Sequence, residues 1–113
     1  MEEMEGEKRQ AETVVSLNGI IQQVAESYGV STDELMHGDR RRKYSEPRHV
    51  AMYLCHRLLG MTQEAIGASF SKNRTLVLYA IKKIADCVAY PQYNRRAAEC
   101  VETILLNNND TKK

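Results

Sequence analysis

The stretch TQEAIGASFSKNRTLVLYAIKKIADCV, residues 62–88, decides the fold because a short polar break separates two helical patterns in it. Thr62 is a typical helix cap and predicts a helix of two turns that ends at Phe70. The polar residues 71–73 that follow predict a tight turn. Apolar residues then recur at helical spacing, at Val77, Ala80, Ile81, Ile84 and Val88. Two helices joined by three polar residues predict a helix-turn-helix.

The opposite face of the second helix carries hydrogen-bonding and cationic groups. On a helical wheel this outward set is Thr75, Tyr79, Lys82 and Lys83, with Asp86. Such a face fits the major groove of DNA, although many amphipathic helices simply expose lysines to solvent. Lys72, Asn73 and Arg74 stand at the helix start, where side chains and free amide groups can meet a phosphate or a base edge. We therefore predict a DNA-binding helix.

The rest of the chain is also helical in pattern, with no convincing strand. A first helix over 17–28 stops at Gly29, and a capping box at Ser31 opens a second helix that Gly38 ends. Residues 39–45 predict a loop. A third helix is expected to start at Ser45, with Pro47 in its first turn, and to end at Gly60; the last spans 97–106. The prediction is an all-α fold of about six helices.

Charge is unevenly distributed along the 113 residues, although the net charge is only +1. Residues 1–19 carry a net of −3 and residues 49–88 a net of +3. Four consecutive bases, Arg40, Arg41, Arg42 and Lys43, fall in the predicted loop before the third helix. Taken alone, such a run is typical of a solvated loop. Beside a helix-turn-helix it favours contacts with phosphates or with a narrow minor groove.

Several classes of function are disfavoured. No apolar run is long enough to cross a membrane, and no secretory signal precedes the helices, so we expect a cytoplasmic, nucleoid-associated protein without a membrane partner. Three cysteines without a CxxC pair predict no disulfide framework. His49, His56 and Cys55 lack a second ligand pair, so we interpret them as packed or surface residues rather than as metal ligands. We expect no cofactor, no metal and no catalytic site.

The expected organisation is one compact unit. Residues 14–106 form a single helical domain, preceded by a flexible acidic arm over 1–13 and followed by a flexible tail over 107–113.

Residues 20–84 resemble the C-terminal DNA-binding domain of the bacterial replication initiator DnaA. The resemblance rests on VAESYGVSTDELM, then RRRKYSEPRHVAMYL, EAIGASF and SKNRTLVLYAIKKI, in that order and spacing. Where the family usually has glycine followed by Arg-Asp-His-Thr-Thr-Val, this chain has Ser71 and then Lys-Asn-Arg-Thr-Leu-Val. The chain has no GxxxxGK[ST] loop, so the resemblance does not extend to nucleotide-driven origin melting.

The resemblance implies a Trp-repressor-like helix-turn-helix that binds a short A/T-rich box in double-stranded DNA. It implies that Arg40 enters the minor groove and that Arg48 contacts a base or the backbone. The major-groove readers fall on Asn73, Arg74, Thr75 and Leu76. Because three of these four differ from the family pattern, we expect a shifted preferred site.

Two alternatives stay open. The chain could bind specific DNA sites in replication initiation or its regulation, with a separate replication or regulatory protein as a partner, or do so as a transcription factor or as part of a mobile element. It could instead be a protein-interaction or adaptor module that kept the fold and lost specific DNA reading. A steep loss of DNA binding with salt separates the two, since only a DNA-binding module shows it. The oligomeric state is not readable from the sequence.

Overall fold

The computed structural model describes the backbone of residues 16–112 and the side chains of residues 16–108, and this part of the chain is all helical. Its six α-helices are α1 (Leu17–Tyr28), α2 (Thr32–His37), α3 (Arg42–Leu59), α4 (Gln63–Phe70), α5 (Arg74–Ala89) and α6 (Arg95–Lys112). A short 3-10 turn, Pro91–Tyr93, joins the last two. The predicted all-α class is confirmed. The predicted arm over residues 1–13 lies outside the described residues.

Helix α3 is the centre of the molecule, because α1, α2, α5 and α6 all pack against it. Val50, Ala51, Leu54 and Cys55 of α3 are fully buried and meet the buried faces of the other helices. Core residues without exposure include Ile20, Leu35, Leu54, Val77 and Ile84. The amphipathic stripes therefore converge on a single core, which leaves the outer face of α5 free to carry a site.

Several predicted helix ends are confirmed by their caps. The hydroxyl of Ser31 accepts from the backbone N–H of Glu34, whose carboxylate accepts from the N–H of Ser31. Gly29 and Gly60 end α1 and α3 in the left-handed region, at φ 69° and 65°. At these two positions glycine avoids the steric cost that a β-carbon would bring.

The predicted start of α3 at Ser45 is wrong, because the helix begins at Arg42. The carboxylate of Asp39 accepts from the backbone N–H of Arg41, and the carbonyl of Arg41 accepts from Tyr44 and Ser45 at 2.9 Å. A helical turn thus forms before Pro47, which loses one early backbone hydrogen bond without stopping the helix. Residues 42–45 of the predicted loop are therefore helical.

The last helix is longer than predicted at both ends. Asn94 caps α6, because its side-chain oxygen accepts from the N–H of Ala97 at 3.1 Å. The predicted end at Leu106 is also wrong, since the helix continues to Lys112. Asn108 is buried and donates from its amide nitrogen to the carbonyl of Ile104 at 2.8 Å. A local hydrogen bond of this kind lets asparagine remain inside a helix.

Candidate nucleic-acid interface

The turn between α4 and α5 brings the start of α5 close against α4. The hydroxyl of Thr62 caps α4 by accepting from Ala65 at 3.1 Å, as predicted. The chain then reverses at Ser71, whose φ of 58° is unusual for a residue other than glycine. The N–H of Lys72 donates to the carbonyl of Gly67 at 2.9 Å. A β-carbon at Gly67 would lie 2.6 Å from the carbonyl oxygen of Lys72, so this close approach requires glycine.

Asn73 is the N-cap of α5 and is only partly available for base recognition. Its side-chain oxygen accepts from the backbone N–H of Leu76 at 2.8 Å. This oxygen is thus already engaged by the backbone, and recognition of a base by Asn73 stays a prediction. The amide nitrogen, a donor, is what Asn73 can still offer.

Leu76, which the resemblance makes a major-groove residue, does not lie on the exposed face of α5. The side chain is half-buried and packs against the core cluster. This packing is favourable because the apolar side chain gains from leaving water. A contact of Leu76 with a thymine methyl stays a prediction.

The remaining members of the predicted outward set share the exposed face of α5. Thr75, Lys82 and Lys83 are exposed, and Tyr79 is 56% exposed. The Lys83 ammonium lies 5.7 Å from the centre of the Tyr79 ring. Asp86 is exposed as well, so this face combines a hydroxyl, an aromatic ring and two ammonium groups with one carboxylate, and the cations outnumber the acid where base edges and phosphates would be contacted.

Arg74 is exposed and leans toward the start of α4. Its Nε donates to the side-chain oxygen of Gln63 at 3.3 Å and lies 3.7 Å from the carboxylate of Glu64. An exposed pair at that distance adds little to stability. The two helix starts of the motif therefore hold the guanidinium at their junction, and a bidentate contact of Arg74 with guanine stays a prediction.

The basic run at the start of α3 is largely engaged with the protein itself. The guanidinium of Arg41 pairs with Asp39 at 3.0 Å, and Nε of Arg42 donates to Glu46 at 2.8 Å. Lys43 lies 5.0 Å from the centre of the Tyr44 ring. Arg40 is exposed and, among the described residues, makes no ion pair or ring contact. It is thus the member of the run best placed to meet DNA.

Arg48 does not belong to the exposed surface, and its predicted contact with DNA stays a prediction that this burial does not support. The residue is only 3% exposed. Its Nε donates to the carbonyl of Leu35 and a terminal nitrogen donates to the carbonyl of Gly38, both at 2.7 Å. Helix ends leave such carbonyls without partners, and the guanidinium satisfies two of them at the end of α2. Arg48 therefore anchors α2 to α3.

Sequence reasoning missed a buried acid next to the basic run. Glu46 is 6% exposed and accepts from the hydroxyl of Tyr28 at 2.7 Å as well as from Arg42. Burial by itself raises the pKa of Glu46, but the hydrogen bonds from Arg42, Tyr28 and Asn94 outweigh it and lower the pKa below its ordinary value. The i,i+4 spacing of Arg42 and Glu46 is the sequence signal for this pair.

His49 is a second residue that sequence reasoning did not connect with the site. It lies on α3 beside Tyr79, with ring centres 6.0 Å apart and planes at 86°. Burial, together with Lys83 and Arg48, lowers the pKa of His49 to about 4. The imidazole is therefore neutral at physiological pH and meets α5 as an uncharged ring.

The structure offers no other chemistry in the part of the chain that it describes. Those residues contain no group of three or more His, Cys, Asp or Glu arranged to hold a metal ion. All three cysteines are buried, and burial raises the pKa of Cys55 to about 12, which disfavours the reactive thiolate. No described helix is long and apolar enough to cross a membrane.

Comparisons with known proteins point to the same motif. A family model described as the bacterial DnaA protein helix-turn-helix matches residues 17–84, from α1 into α5. Chromosomal replication initiator protein DnaA 1 of Chlamydia pneumoniae is 38% identical over 94 residues, which cover 83% of this chain and 20% of that protein. DnaA 2 of Chlamydia caviae is 37% identical over 71 residues, covering 63% and 15%. DnaA of Lactococcus lactis subsp. cremoris is 37% identical over 73 residues, covering 64% and 16%. The chain therefore spans a fifth or less of the length of these relatives.

Proposed function

Because the chain belongs to the helix-turn-helix family of bacterial DnaA proteins, we propose that it binds double-stranded DNA through α5 and the turn before it. The observation that carries the proposal is the composition of the exposed face of α5, with Thr75, Tyr79, Lys82 and Lys83 turned away from the core. The start of α5 is capped by Asn73 and carries free backbone N–H groups beside Lys72 and Arg74. An anion is favoured at such a helix start.

In this proposal the residues that contact phosphates differ from those that contact bases. Lys72, Lys82 and Lys83 meet phosphates and supply affinity, whereas Thr75 and Arg74 contact base edges. Arg40, and more weakly the protein-paired Arg41, Arg42 and Lys43, meet the backbone or the minor groove on the other side of the site.

The preferred DNA site resembles a DnaA box with altered specificity. The support is chemical, since Asn73, Arg74 and Leu76 stand where the resemblance implies Asp, His and Thr. The relatives are named chromosomal replication initiators, so the biological role we propose is replication initiation or its regulation in the cytoplasm.

Selection of binding sites from random duplexes tests the proposal, followed by affinity measurements over a range of salt. We expect one enriched site whose binding constant falls steeply with salt, with about one unit of log–log slope for each phosphate contacted. Failure to retain any duplex, or binding indifferent to salt, would favour the adaptor module instead.

A further inference from the structure

The most exposed large aromatic side chain on α5 is Tyr79, one helical turn after Thr75. Its ring is 56% exposed in the middle of a face that also carries a hydroxyl, two ammonium groups and the Asp86 carboxylate. An aromatic ring with this exposure leaves a substantial apolar area in water unless a partner covers it. On the proposed function, that partner is the major groove of DNA.

Tyr79 is held from two sides rather than left free to rotate. The ring of His49, on α3, meets it edge-to-face at 6.0 Å, and the Lys83 ammonium lies 5.7 Å from its centre on α5. His49 is itself packed in place, and its Nδ1 is buried without a hydrogen-bond partner among the described residues. Its position on α3 is therefore set by packing rather than by polar contacts. A ring fixed before binding loses little conformational entropy on binding.

The charged groups around His49 favour a neutral, aromatic contact. Lys83 and Lys72 approach from α5 and the turn, and Arg48 and Glu46 belong to its own helix. Three of these four groups are cations, and they disfavour an imidazolium in addition to burial. His49 therefore supports Tyr79 as a packed ring and not as a charge.

We propose, on the basis of the proposed function, that Tyr79 is a specificity-determining residue that packs on the 5-methyl group of a thymine, and that His49 is the positioning residue that aims its ring. The two groups match chemically. Among the groups that base edges present in the major groove, the thymine methyl is the apolar one. The ammonium groups of Lys82 and Lys83 would meet the flanking phosphates and bring the ring to the groove.

The test uses a duplex selected from a random pool and the same duplex with deoxyuridine replacing thymine at one position at a time, which removes only the methyl group. For the unmodified protein we expect one replacement to weaken binding about tenfold. Tyr79→Ala should lose the same factor of affinity for the thymine duplex and should bind the thymine and deoxyuridine duplexes equally. Tyr79→Phe should keep both the affinity and the discrimination between the two duplexes. Tyr93→Ala, which removes a 66% exposed tyrosine outside the site, is the matched control and should change nothing.

His49 is tested by the same discrimination between thymine and deoxyuridine. His49→Ala should reduce the discrimination, and His49→Phe should restore it, because a phenyl ring can make the edge-to-face contact without a titratable nitrogen. A Tyr79→Ala protein that still discriminates overturns the role of Tyr79, and unchanged discrimination in a folded His49→Ala protein overturns the role of His49. If the unmodified protein binds no duplex, the proposed function itself fails. That result is distinct from a failure of this inference, in which the protein binds DNA but the variants do not change the discrimination.

Discussion

Two basic segments of this chain are alike in composition and different in what their side chains contact. Between residues 40 and 48, Arg41 and Arg42 pair with protein carboxylates, and Arg48 is buried against two backbone carbonyls. Between residues 72 and 83, the lysines on α5 are exposed. A run of bases therefore marks a DNA site only where the protein has not already supplied the anions.

The difference follows from local geometry. Helix α3 starts with Asp39 and Glu46 within reach of the arginines, so carboxylates of the protein itself largely neutralise their charges. Helix α5 has no acid in its first turn, and its lysines project from the face opposite the core. We therefore propose that the second segment makes the main DNA contacts, and that the first contributes Arg40 and more weakly its paired bases, while the buried Arg48 anchors α2 to α3.

The largest expected effect is on stability, from Arg48→Ala. The change leaves the carbonyls of Leu35 and Gly38 without their donor and removes two charge-assisted hydrogen bonds. We expect the free energy of unfolding to fall by about 3 kcal/mol in chemical denaturation. Arg40→Ala, an exposed control from the same segment, should change it by less than about 0.5 kcal/mol. Equal, small losses for both variants would contradict the anchoring role of Arg48.

Glu46→Gln should cost about 1–3 kcal/mol near neutral pH, because it weakens the hydrogen bonds with Arg42 and Tyr28. The folded-state pKa of Glu46 lies below its ordinary value of 4.5. The carboxylate therefore contributes fully above that value, and its contribution is lost as the pH falls through the folded pKa. Unfolding measured from neutral pH down to about pH 3 should show that the difference in the free energy of unfolding between the native protein and the variant shrinks as the pH falls. An advantage independent of pH would mean that Glu46 acts by packing alone.

A charge-matched pair of double variants compares the two segments directly in DNA binding. Lys72→Ala with Lys82→Ala should lower the salt slope by about two units, one for each phosphate that the variant no longer neutralises. Arg41→Ala with Arg42→Ala should weaken binding to selected and random duplexes alike, with a smaller change of slope, because both guanidiniums already pair with carboxylates. The reverse order of the two effects would move the main phosphate contacts to the start of α3.

The smallest expected effect is a gain in stability from Ser71→Gly. Ser71 adopts φ 58° in the turn of the helix-turn-helix, a conformation that costs about 1 kcal/mol for a residue with a β-carbon. The glycine variant should melt a few degrees higher, while Ser69→Gly, inside α4, should melt lower because glycine weakens a helix interior. A lower melting temperature for Ser71→Gly would show that its side chain contributes more than the strain removes.

Much of the fold was predictable because caps and apolar spacing are local signals. The capping box at Ser31, the cap at Thr62 and the stripe on α5 need no knowledge of tertiary contacts. Pro47 misled the prediction of the start of α3, since a turn organised by Asp39 forms before it. The hydrogen bonds of Arg48 with the end of α2 join two helices, and no local sequence pattern predicts such a tertiary contact.

The site was predictable as a face and less so residue by residue. Arg48 lies three and seven positions before Ala51 and Cys55, so the helical period already placed it on the buried stripe, although its charge suggested a surface role. Asn73 was assigned to a base although asparagine is a preferred helix cap. The pairing of His49 with Tyr79 joins α3 to α5 and required the structure.

Amide chemical shifts of isotope-labelled protein, titrated with the selected duplex, test the division between the two segments most directly. We expect the largest shift changes in the turn and on α5, over residues 71–83, with a second, smaller set at Arg40 and no change at the backbone amide of Arg48. Largest changes on α6, or changes at residues 40–48 that exceed those on α5, would contradict the assignment of DNA binding to the second segment.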